Sequence, residues 1–313
     1  MALVVVPPGL AGLEPLAGHT LAAWDRLGEA DALVCLLTDR VDAALLDRAP
    51  RLRVAATVSV GYDNVDVAAC AARGVAVLHT PGVLTEATAD LAFGLVLAAS
   101  RLFPLGERDV RSGAWTGWTM DAYVGLDVHG ATLGLVGYGR IGRAVARRAA
   151  GFGMTVLHHT RTDTGVEGWC SSLPTLLAAA DVVSLHVPLT PATRHLVGAA
   201  ELDLIGPRGV LVNTSRGPVV DEAALAAALA ARTLFAAGLD VYEDEPRVHP
   251  GLLASPYAVL LPHVGSATSA TRLAMARLAA SGVAAVLRGE TPPNAVPSRY
   301  GSGGTQTSTG QYG

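Results

Sequence analysis

Short runs of β-branched and other apolar residues alternate with Ala- and Leu-rich segments of helical period along the first third of the chain. The apolar runs predict strands, because β-branched residues favour an extended backbone and the runs are too short for buried helices. They lie at 3–6, 32–37, 53–58 and 75–78. Strands separated by helical segments are typical of a parallel sheet.

A second series of strands follows one long apolar segment and one polar segment. Residues 85–101 are typical of a helix, and the polar passage 106–130 contains tryptophan. The strands predicted after it lie at 132–137, 154–159, 181–186, 209–213, 234–239 and 258–261. We therefore expect an α/β protein with two Rossmann- or flavodoxin-like domains, each built on a parallel sheet.

The end of the chain predicts how the two domains are connected. The last helical segment, 268–287, leads into the Pro-rich segment 291–297, where we expect the chain to return to the first domain. The second domain is then inserted into a discontinuous first domain. The predicted boundaries are 1–100 with 289–297 for the first domain and 101–288 for the second. Residues 298–313 lack an apolar period and are predicted to form a disordered tail.

Composition and charge exclude several classes of protein. The 313 residues are 50% hydrophobic and carry a net charge of -4 that is spread along the chain, which is untypical of nucleic-acid binding. Polar residues interrupt the apolar segments, so we expect no membrane span, which requires about 20 apolar residues. The first ten residues lack the cationic segment of a signal peptide. These features predict a cytoplasmic protein.

The basic residues and the cysteines exclude further chemistry. All 23 basic residues are arginines, which excludes a Lys Schiff base, a Lys general base and a phosphate-loop Lys. The cysteines, Cys35, Cys70 and Cys170, are odd in number and far apart, unlike a disulfide framework or a zinc site. We expect reduced thiols in packed positions and no bound metal.

A glycine motif follows the first strand of the second series and begins a helix. It consists of Gly137, Tyr138, Gly139, Arg140, Ile141 and Gly142. In this context the glycines permit a tight turn and close approach to a pyrophosphate, which the helix N-terminus then stabilises. We expect a dinucleotide site; the alternative is a Gly-rich turn without a ligand.

The end of the next strand predicts which dinucleotide binds. An NAD-selective site carries an acidic residue there for the ribose 2′-hydroxyl, whereas this chain has Thr160, Arg161 and Thr162. A guanidinium with two hydroxyls suits a 2′-phosphate. We therefore expect NADPH to be preferred, with NADH possible as a second cofactor. The alternative is that Arg161 is a solvated loop residue and Asp163 supplies the acid.

Three polar residues that follow later strands fit the reduction of a 2-oxo acid. That reaction needs a cation for the substrate carboxylate, a proton donor, and a carboxylate that orients the donor. Arg216, Glu245 and His263 all follow predicted strands, and the carboxyl ends of parallel strands meet at one edge of a sheet. His186 also ends a strand, but the Val187-Pro188 that follows is more typical of a wall beside the adenine.

At these residues the chain resembles the D-isomer-specific 2-hydroxyacid dehydrogenase family, and within it the glyoxylate/hydroxypyruvate reductases. Arg216 matches the family's arginine in NxxRG, Glu245 its glutamate in DVxxxEP, and His263 its histidine in HxGS. The resemblance implies that these three residues are catalytic and that Arg216 and His263 also bind substrate. It covers nearly the whole chain except the tail.

The resemblance implies further contacts on both domains. In the first domain the backbone amides of Val60 and Gly61 are expected to bind the substrate carboxylate, with the substrate between the domains. In the second domain the expected cofactor contacts, besides those of the glycine motif, are Thr160, Arg161, Thr162, Val187, Pro188, Thr214, Ser215, Arg216, Asp240, His263, Val264 and Gly265.

The polar passage 111–118 resembles a stretch that crosses a dimer in relatives and sends a Trp toward the partner's pocket. A homodimer is therefore expected, with Trp118 either at that pocket or only at the interface. The expected activity is reduction of glyoxylate or hydroxypyruvate to the D-2-hydroxy acid. The alternatives are a reductase of a bulkier 2-keto acid and a dinucleotide-sensing corepressor or scaffold.

Overall fold

The computed structural model describes residues 1–297, so the predicted tail at 298–313 lies outside the described residues. The chain forms two compact units. The first combines Met1–Thr85 with the described residues from Ser266 onward, and the second is the uninterrupted segment Glu86–Gly265. The second unit is thus inserted into a discontinuous first one.

The first unit is built on a five-stranded sheet in which every strand pair is parallel. Its strands are β1 (Leu3–Val5), β2 (Thr20–Ala22), β3 (Ala32–Cys35), β4 (Val54–Thr57) and β5 (Ala76–Leu78), in the order β2-β1-β3-β4-β5. The first-unit helices are α1 (Ala43–Arg48), α2 (Val67–Ala72) and α10 (Ser269–Leu287), with short 3-10 helices at Glu14–Leu16 and Trp24–Glu29.

The second unit has a six-stranded parallel sheet in the order β11-β10-β9-β8-β6-β7. Its strands are β6 (Thr132–Val136), β7 (Thr155–His159), β8 (Val182–Leu185), β9 (Val210–Asn213), β10 (Ala236–Leu239) and β11 (Ala258–Leu260). The central strands β8, β9 and β10 are buried at every residue. Helices therefore cover both faces of this sheet, which explains the continuous apolar runs in the sequence.

The helices of the second unit begin with α3 and end with α9. Their ranges are α3 (Thr85–Ser100), α4 (Phe103–Ser112), α5 (Arg140–Ala150), α6 (Leu173–Ala179), α7 (Ala199–Ile205), α8 (Glu222–Ala231) and α9 (Pro250–Ala254), with a 3-10 turn at Gly217–Val219. Asp221, which precedes α8, caps the helix, because its carboxyl group accepts a hydrogen bond from the amide of Ala224 at 2.9 Å.

Two long helices belong to different units from those that the sequence predicts. The buried face of α3, including Ala92, Phe93 and Val96, packs with Leu133 and Val145 of the second unit. α10 packs on the strands of the first unit. The compact units therefore divide the chain at 85/86 and 265/266 rather than at 100/101 and 288/289, because the buried faces of these helices decide their membership.

One helix departs from the expectation that no segment is suited to a membrane span. Ser269–Leu287 is long and apolar enough to cross a membrane by length and composition, and α3 and α4 together pass the same test across a 67° bend. Ala279, Ala280 and Val283 of the 269–287 helix are buried inside the first unit. Its apolar character is therefore that of a core helix, whose small residues pack closely on the sheet.

Candidate active site

The glycine motif forms the turn between β6 and α5. At two of its positions no residue other than glycine fits. Gly137 has φ +95°, and a Cβ there would lie 2.6 Å from the carbonyl oxygen of His186. A Cβ on Gly142 would lie 2.4 Å from the carbonyl oxygen of Gly137. Gly139 caps α5 without a side-chain hydrogen bond to the first turn. The turn thus offers the helix amides to a phosphate, as a dinucleotide requires.

Other predicted cofactor residues lie on the loops that follow the neighbouring strands. Val187 follows β8, and its Cγ1 would lie 3.1 Å from a Cβ on Gly137. The Thr214 hydroxyl, after β9, is buried and has no hydrogen-bond partner within residues 1–297. A buried hydroxyl in this position fits a polar ligand, because an unsatisfied group of this kind is costly. The glycine turn and Thr214 both fit a bound dinucleotide, which supplies or accepts hydride at its nicotinamide.

The segment after β7 presents the residues expected to read the adenosine ribose. Arg161 and Thr162 are exposed, and the Thr160 hydroxyl donates to the carbonyl of Thr162 at 2.7 Å. The Asp163 carboxyl accepts from the amide of Gly165 at 2.8 Å and so stabilises the turn of this segment. Arg161 is therefore the cation that this segment presents to solvent.

Sequence reasoning missed a stack of side chains beside this segment. The His158 ring is buried and stacks on the Tyr138 ring with 3.9 Å between centroids, and the Arg143 guanidinium lies 4.7 Å from the Tyr138 centroid. The Nε2 of His158 lies 2.7 Å from the Thr164 hydroxyl. Burial and the Arg143 charge lower the pKa of His158. The stack ties the glycine turn to the segment after β7.

Arg216 lies between β9 and the 3-10 turn at Gly217–Val219, held by side chains of its own loop. The Asn213 carboxamide donates to the carbonyl of Arg216 at 2.9 Å and accepts from the amide and hydroxyl of Ser215 at 3.0 and 2.7 Å. The Arg216 guanidinium donates to the Ser215 carbonyl at 2.9 Å. The NxxRG pattern thus encodes a self-bonded loop that fixes the arginine backbone.

The predicted Glu–His pair is formed. The Nδ1 of His263 lies 2.8 Å from Oε2 of Glu245, and because a carboxylate only accepts, this nitrogen is the donor. The other carboxyl oxygen of Glu245 accepts from the amide of Tyr242 at 3.1 Å. His263 has φ +54°, an uncommon conformation for a residue with a side chain. The bond at Nδ1 orients the ring and leaves Nε2 available for proton transfer.

Asp240 fixes the loop that carries His263. Its two carboxyl oxygens accept from the amides of Val264 and Gly265 at 2.7 and 2.8 Å. Burial raises the pKa of Asp240, against the lowering effect of the two amide bonds. Each oxygen keeps a second lone pair, so Asp240 can hold the loop and also accept from a ligand amide.

The charge state of Glu245 follows from its partners. Burial tends to raise its pKa, but the hydrogen bond and charge of His263, the Tyr242 amide and the charge of Arg216 together lower the pKa below its ordinary value. Glu245 is therefore ionised at neutral pH and stabilises positive charge on the imidazole ring.

Gly217 brings the arginine loop against the glutamate loop, a contact that sequence reasoning missed. A Cβ on Gly217 would lie 1.8 Å from both the carbonyl carbon and oxygen of Tyr242, and 2.4 Å from the amide nitrogen of Glu243. No side chain fits there. The glycine that follows Arg216 in the motif was the available signal.

The predicted substrate residues of the first unit lie on a tight turn after β4. The Ser59 hydroxyl donates to the carbonyl of Gly61 at 2.5 Å, and Nδ1 of His79 lies 2.8 Å from the carbonyl oxygen of Val60. The His79 ring also packs edge-on against Tyr62, with centroids 5.4 Å apart. Side-chain bonds to both carbonyls hold the turn in one conformation.

His186 is packed beneath the glycine turn. Its Nε2 lies 2.9 Å from the Ser184 hydroxyl, and burial lowers its pKa to about 4. A neutral ring of this kind supports the backbone whose carbonyl faces Gly137. It lies beside the glycine turn, apart from the hydrogen-bonded pair of Glu245 and His263.

Comparison with known proteins shows the family of the chain. A family model described as the NAD-binding domain of D-isomer specific 2-hydroxyacid dehydrogenases matches residues 93–265. A glyoxylate reductase of Thermococcus litoralis is 47% identical in an alignment 294 residues long that covers 90% of this chain and 88% of the relative. A glyoxylate reductase of Korarchaeum cryptofilum is 48% identical over 87% of this chain and 84% of its own.

A solved structure extends the likeness to three dimensions. The NADPH-dependent glyoxylate/hydroxypyruvate reductase of Sinorhizobium meliloti, in complex with NADP and malonate, is 37% identical with a TM-score of 0.85. The match covers 95% of this chain and 97% of that one. The fold class and the resemblance to glyoxylate reductases that the motifs predict are thereby confirmed, and a nicotinamide dinucleotide is the cofactor class.

Proposed function

Because the chain belongs to the D-isomer specific 2-hydroxyacid dehydrogenase family, we propose that it reduces glyoxylate and hydroxypyruvate to the D-2-hydroxy acids. The observation that carries the proposal is the His263–Glu245 pair, at 2.8 Å, in the same unit as a glycine turn suited to a dinucleotide. The similar proteins named glyoxylate reductase support the substrate class.

The proposed roles follow from the bonds that each side chain makes. A bound nicotinamide would supply the hydride for the carbonyl carbon. His263 gives the proton from Nε2 to the carbonyl oxygen, so that hydride and proton together convert the C=O group to an alcohol. Glu245 holds Nδ1 and stabilises the charged ring before transfer. Arg216 binds the substrate carboxylate and polarises the carbonyl.

The turn at Val60 and Gly61 is proposed to bind the substrate carboxylate through its amides. Its carbonyls lie within hydrogen-bonding distance of the side chains of Ser59 and His79, and this arrangement supports a rigid turn. Backbone donors need no reorganisation, which favours recognition of an anion by such a turn.

NADPH is the proposed preferred cofactor. The exposed guanidinium of Arg161 and the hydroxyls of Thr160 and Thr162 support binding of a 2′-phosphate, and the bond from Gly165 to Asp163 supports a turn-forming role for that acid. We expect Arg161→Asp to raise the KM for NADPH by at least about tenfold while changing that for NADH little. An unchanged preference would mean that the 2′-phosphate is bound elsewhere.

The activity is tested by following NADPH and NADH oxidation with glyoxylate, hydroxypyruvate and bulkier 2-keto acids. Glyoxylate and hydroxypyruvate should give the largest kcat/KM. His263→Asn should lower kcat by about a hundredfold or more, because it removes the proton donor. Oxidation of neither cofactor with any of these acids would exclude the enzyme function.

A homodimer is proposed from the apolar surface of α4 and the segment after it. Phe103, Val110, Trp118, Met120 and Val124 are between 58% and 82% exposed, and several large apolar side chains exposed on one segment favour an interface. The same segment resembles the dimer-crossing stretch of relatives, which favours a second copy as the occupant. Sedimentation should show a dimer that Trp118→Ala weakens; a monomer at micromolar concentration would exclude it.

A cytoplasmic location is also proposed. Its support is that Cys35, Cys70 and Cys170 are free thiols, as is usual for proteins in reducing compartments.

A further inference from the structure

A buried glutamate at the start of α8 takes no part in the chemistry proposed above. Glu222 is 8% exposed. One of its carboxyl oxygens accepts from the amide of Glu243 at 2.5 Å, and the other accepts from the amide of His249 at 3.1 Å. A single carboxyl group thus bonds two points of the backbone that are six residues apart.

The segment between these two points carries the predicted catalytic glutamate. Residues 243–249 follow β10 and lead into α9, and Glu245 lies near their start. Inside the segment the Arg247 amide donates to the carbonyl of Asp244 at 2.8 Å, which folds the chain into a turn. The two bonds from Glu222 hold both ends of this turn.

Glu243 in turn accepts a hydrogen bond from the backbone of Glu222. Oε1 of Glu243 accepts from the amide of Glu222 at 3.0 Å and lies 2.9 Å from Nε2 of His195. The Arg194 guanidinium is 4.0 Å from the other oxygen of Glu243. The start of α8 and the start of the 243–249 segment are therefore joined in both directions.

Capping of α8 does not account for Glu222. Asp221 already caps the helix through the Ala224 amide at 2.9 Å, and both oxygens of Glu222 are directed to amides of the other segment. Burying a carboxyl group is unfavourable unless hydrogen bonds within the protein replace those it made to water. Both replacement bonds of Glu222 come from backbone amides on the two sides of Glu245.

We propose that Glu222 is a positioning residue for the reduction: its carboxyl group holds both ends of the 243–249 segment and thereby keeps Glu245 within hydrogen-bonding distance of His263. The inference rests on the proposed roles of those two residues. Within residues 1–297 Glu222 makes no hydrogen bond to either of them, and it acts through the backbone of Glu243 and His249.

The test is the variant Glu222→Gln, measured by NADPH oxidation with glyoxylate. A carboxamide has one acceptor oxygen, so only one of the two backbone amides keeps a partner and a donor faces the other. We expect kcat to fall about tenfold, in line with the effect of small displacements of catalytic groups. Binding of NADPH, measured by tryptophan fluorescence, should change less than about twofold, because Glu222 lies outside the glycine turn.

The pH profile supplies a readout that a purely structural role would leave unchanged. Glu245 is faced by His263, Arg216, Asp240 and the Tyr242 amide, and burial opposes the groups that lower its pKa. A loosened segment weakens the bond from His263, so the pKa of Glu245 rises. The loss of kcat/KM at acid pH should therefore occur at a higher pH in Glu222→Gln than in the wild type.

Glu201→Gln is the matched control. Glu201 lies in the first turn of α7, and one of its carboxyl oxygens accepts from the amide of Gly198 at 3.0 Å. The substitution weakens the same kind of glutamate-to-backbone bond in the same unit but leaves the 243–249 segment untouched. Its kcat should stay within about twofold of wild type.

A double variant decides between positioning and general damage. If Glu222 acts through Glu245, adding Glu222→Gln to Glu245→Gln should lower kcat by no more than about twofold beyond the single variant. A full tenfold further loss, or a Glu222→Gln enzyme no slower than Glu201→Gln, would overturn the inference. If Glu222→Gln does not fold, Glu222→Asp enters the same comparisons, because its shorter side chain cannot span both amides.

Failure of the proposed function would look different, because the wild-type protein would then oxidise neither cofactor with any of the acids. If the activity is present but Glu245→Gln keeps wild-type turnover, the proton-transfer role of Glu245 and the positioning role of Glu222 are both refuted. A slow Glu245→Gln enzyme beside a fast Glu222→Gln enzyme would refute the positioning role alone.

Discussion

Replacing Gly217 with alanine tests whether the contact between the arginine loop and the glutamate loop supports catalysis. The added Cβ would lie 1.8 Å from the carbonyl of Tyr242, where ordinary contact begins at 3.4 Å. The two backbones must therefore separate by roughly 1.5 Å. Glu245 is three residues beyond Tyr242 and bonded to its amide, so this separation moves the carboxylate that orients His263.

The magnitude follows from that displacement. A shift of about 1 Å in a catalytic group can lower the rate by about a hundredfold, so we expect kcat for glyoxylate to fall by that factor. Overpacking of this kind costs about 1–3 kcal/mol of unfolding free energy. The melting temperature should fall by about 2–4 °C for each kcal/mol. Initial rates of NADPH oxidation and a thermal melt, on the same preparation, measure the two effects.

A second glycine provides the control. Gly94 lies on the exposed face inside α3, and no atom lies within 4 Å of a Cβ placed there. Gly94→Ala should leave kcat unchanged and stabilise the helix by about 0.5–1 kcal/mol. If Gly217→Ala keeps kcat within about twofold of wild type, the two loops are not coupled to catalysis and the reasoning is refuted.

Three further predictions concern titration and buried polar groups. Because its partners hold the pKa of Glu245 below the ordinary value of 4.5 against the effect of burial, its charge persists until the pH falls through that lowered pKa. In the folded range kcat/KM should therefore stay level as the pH is lowered toward 4.5; a decline already near about pH 6 would contradict this. Asp240→Asn leaves one acceptor for two backbone amides and should cost about 1–3 kcal/mol in urea unfolding; an unchanged midpoint would show the bonds to be dispensable. Burial raises the pKa of Cys35 to about 12 and of Cys70 to about 11, so a disulfide reagent should titrate only Cys170 before unfolding, and rapid reaction of a second thiol would contradict their burial.

The architecture was predictable because fully buried parallel strands produce continuous apolar runs. All ten predicted strands occur within one or two residues of the expected bounds. Two elements, β2 and α4, were not predicted, because they bury few side chains and so leave no apolar pattern in the sequence. β2 is three residues at the sheet edge, and α4 has no buried residue. The predicted domain boundaries differ from those of the compact units, because the apolar sequences of helices α3 and α10 do not indicate which of the two sheets each helix covers.

The site was predictable where a motif encodes its own geometry. The HxGS and DVxxxEP patterns predicted a pair of His263 and Glu245, and Nδ1 of His263 lies 2.8 Å from Oε2 of Glu245 in the structure. Glu222 was not predictable, since its bonds run to backbone amides 21 and 27 positions away, which carry no side-chain signature. The same holds for the stack of Tyr138 on His158, because each residue type is common in loops and strands.

The uninterrupted second unit has a consequence for how such an enzyme diversifies. Arg216, Glu245, His263 and the glycine turn all lie in the single segment Glu86–Gly265, whereas the turn at Val60 lies in the discontinuous first unit. One recombination event that exchanges this segment would transfer all the residues proposed for proton transfer as a block. The proposed substrate turn of the first unit is then free to vary under separate selection, without changes to the pair of Glu245 and His263.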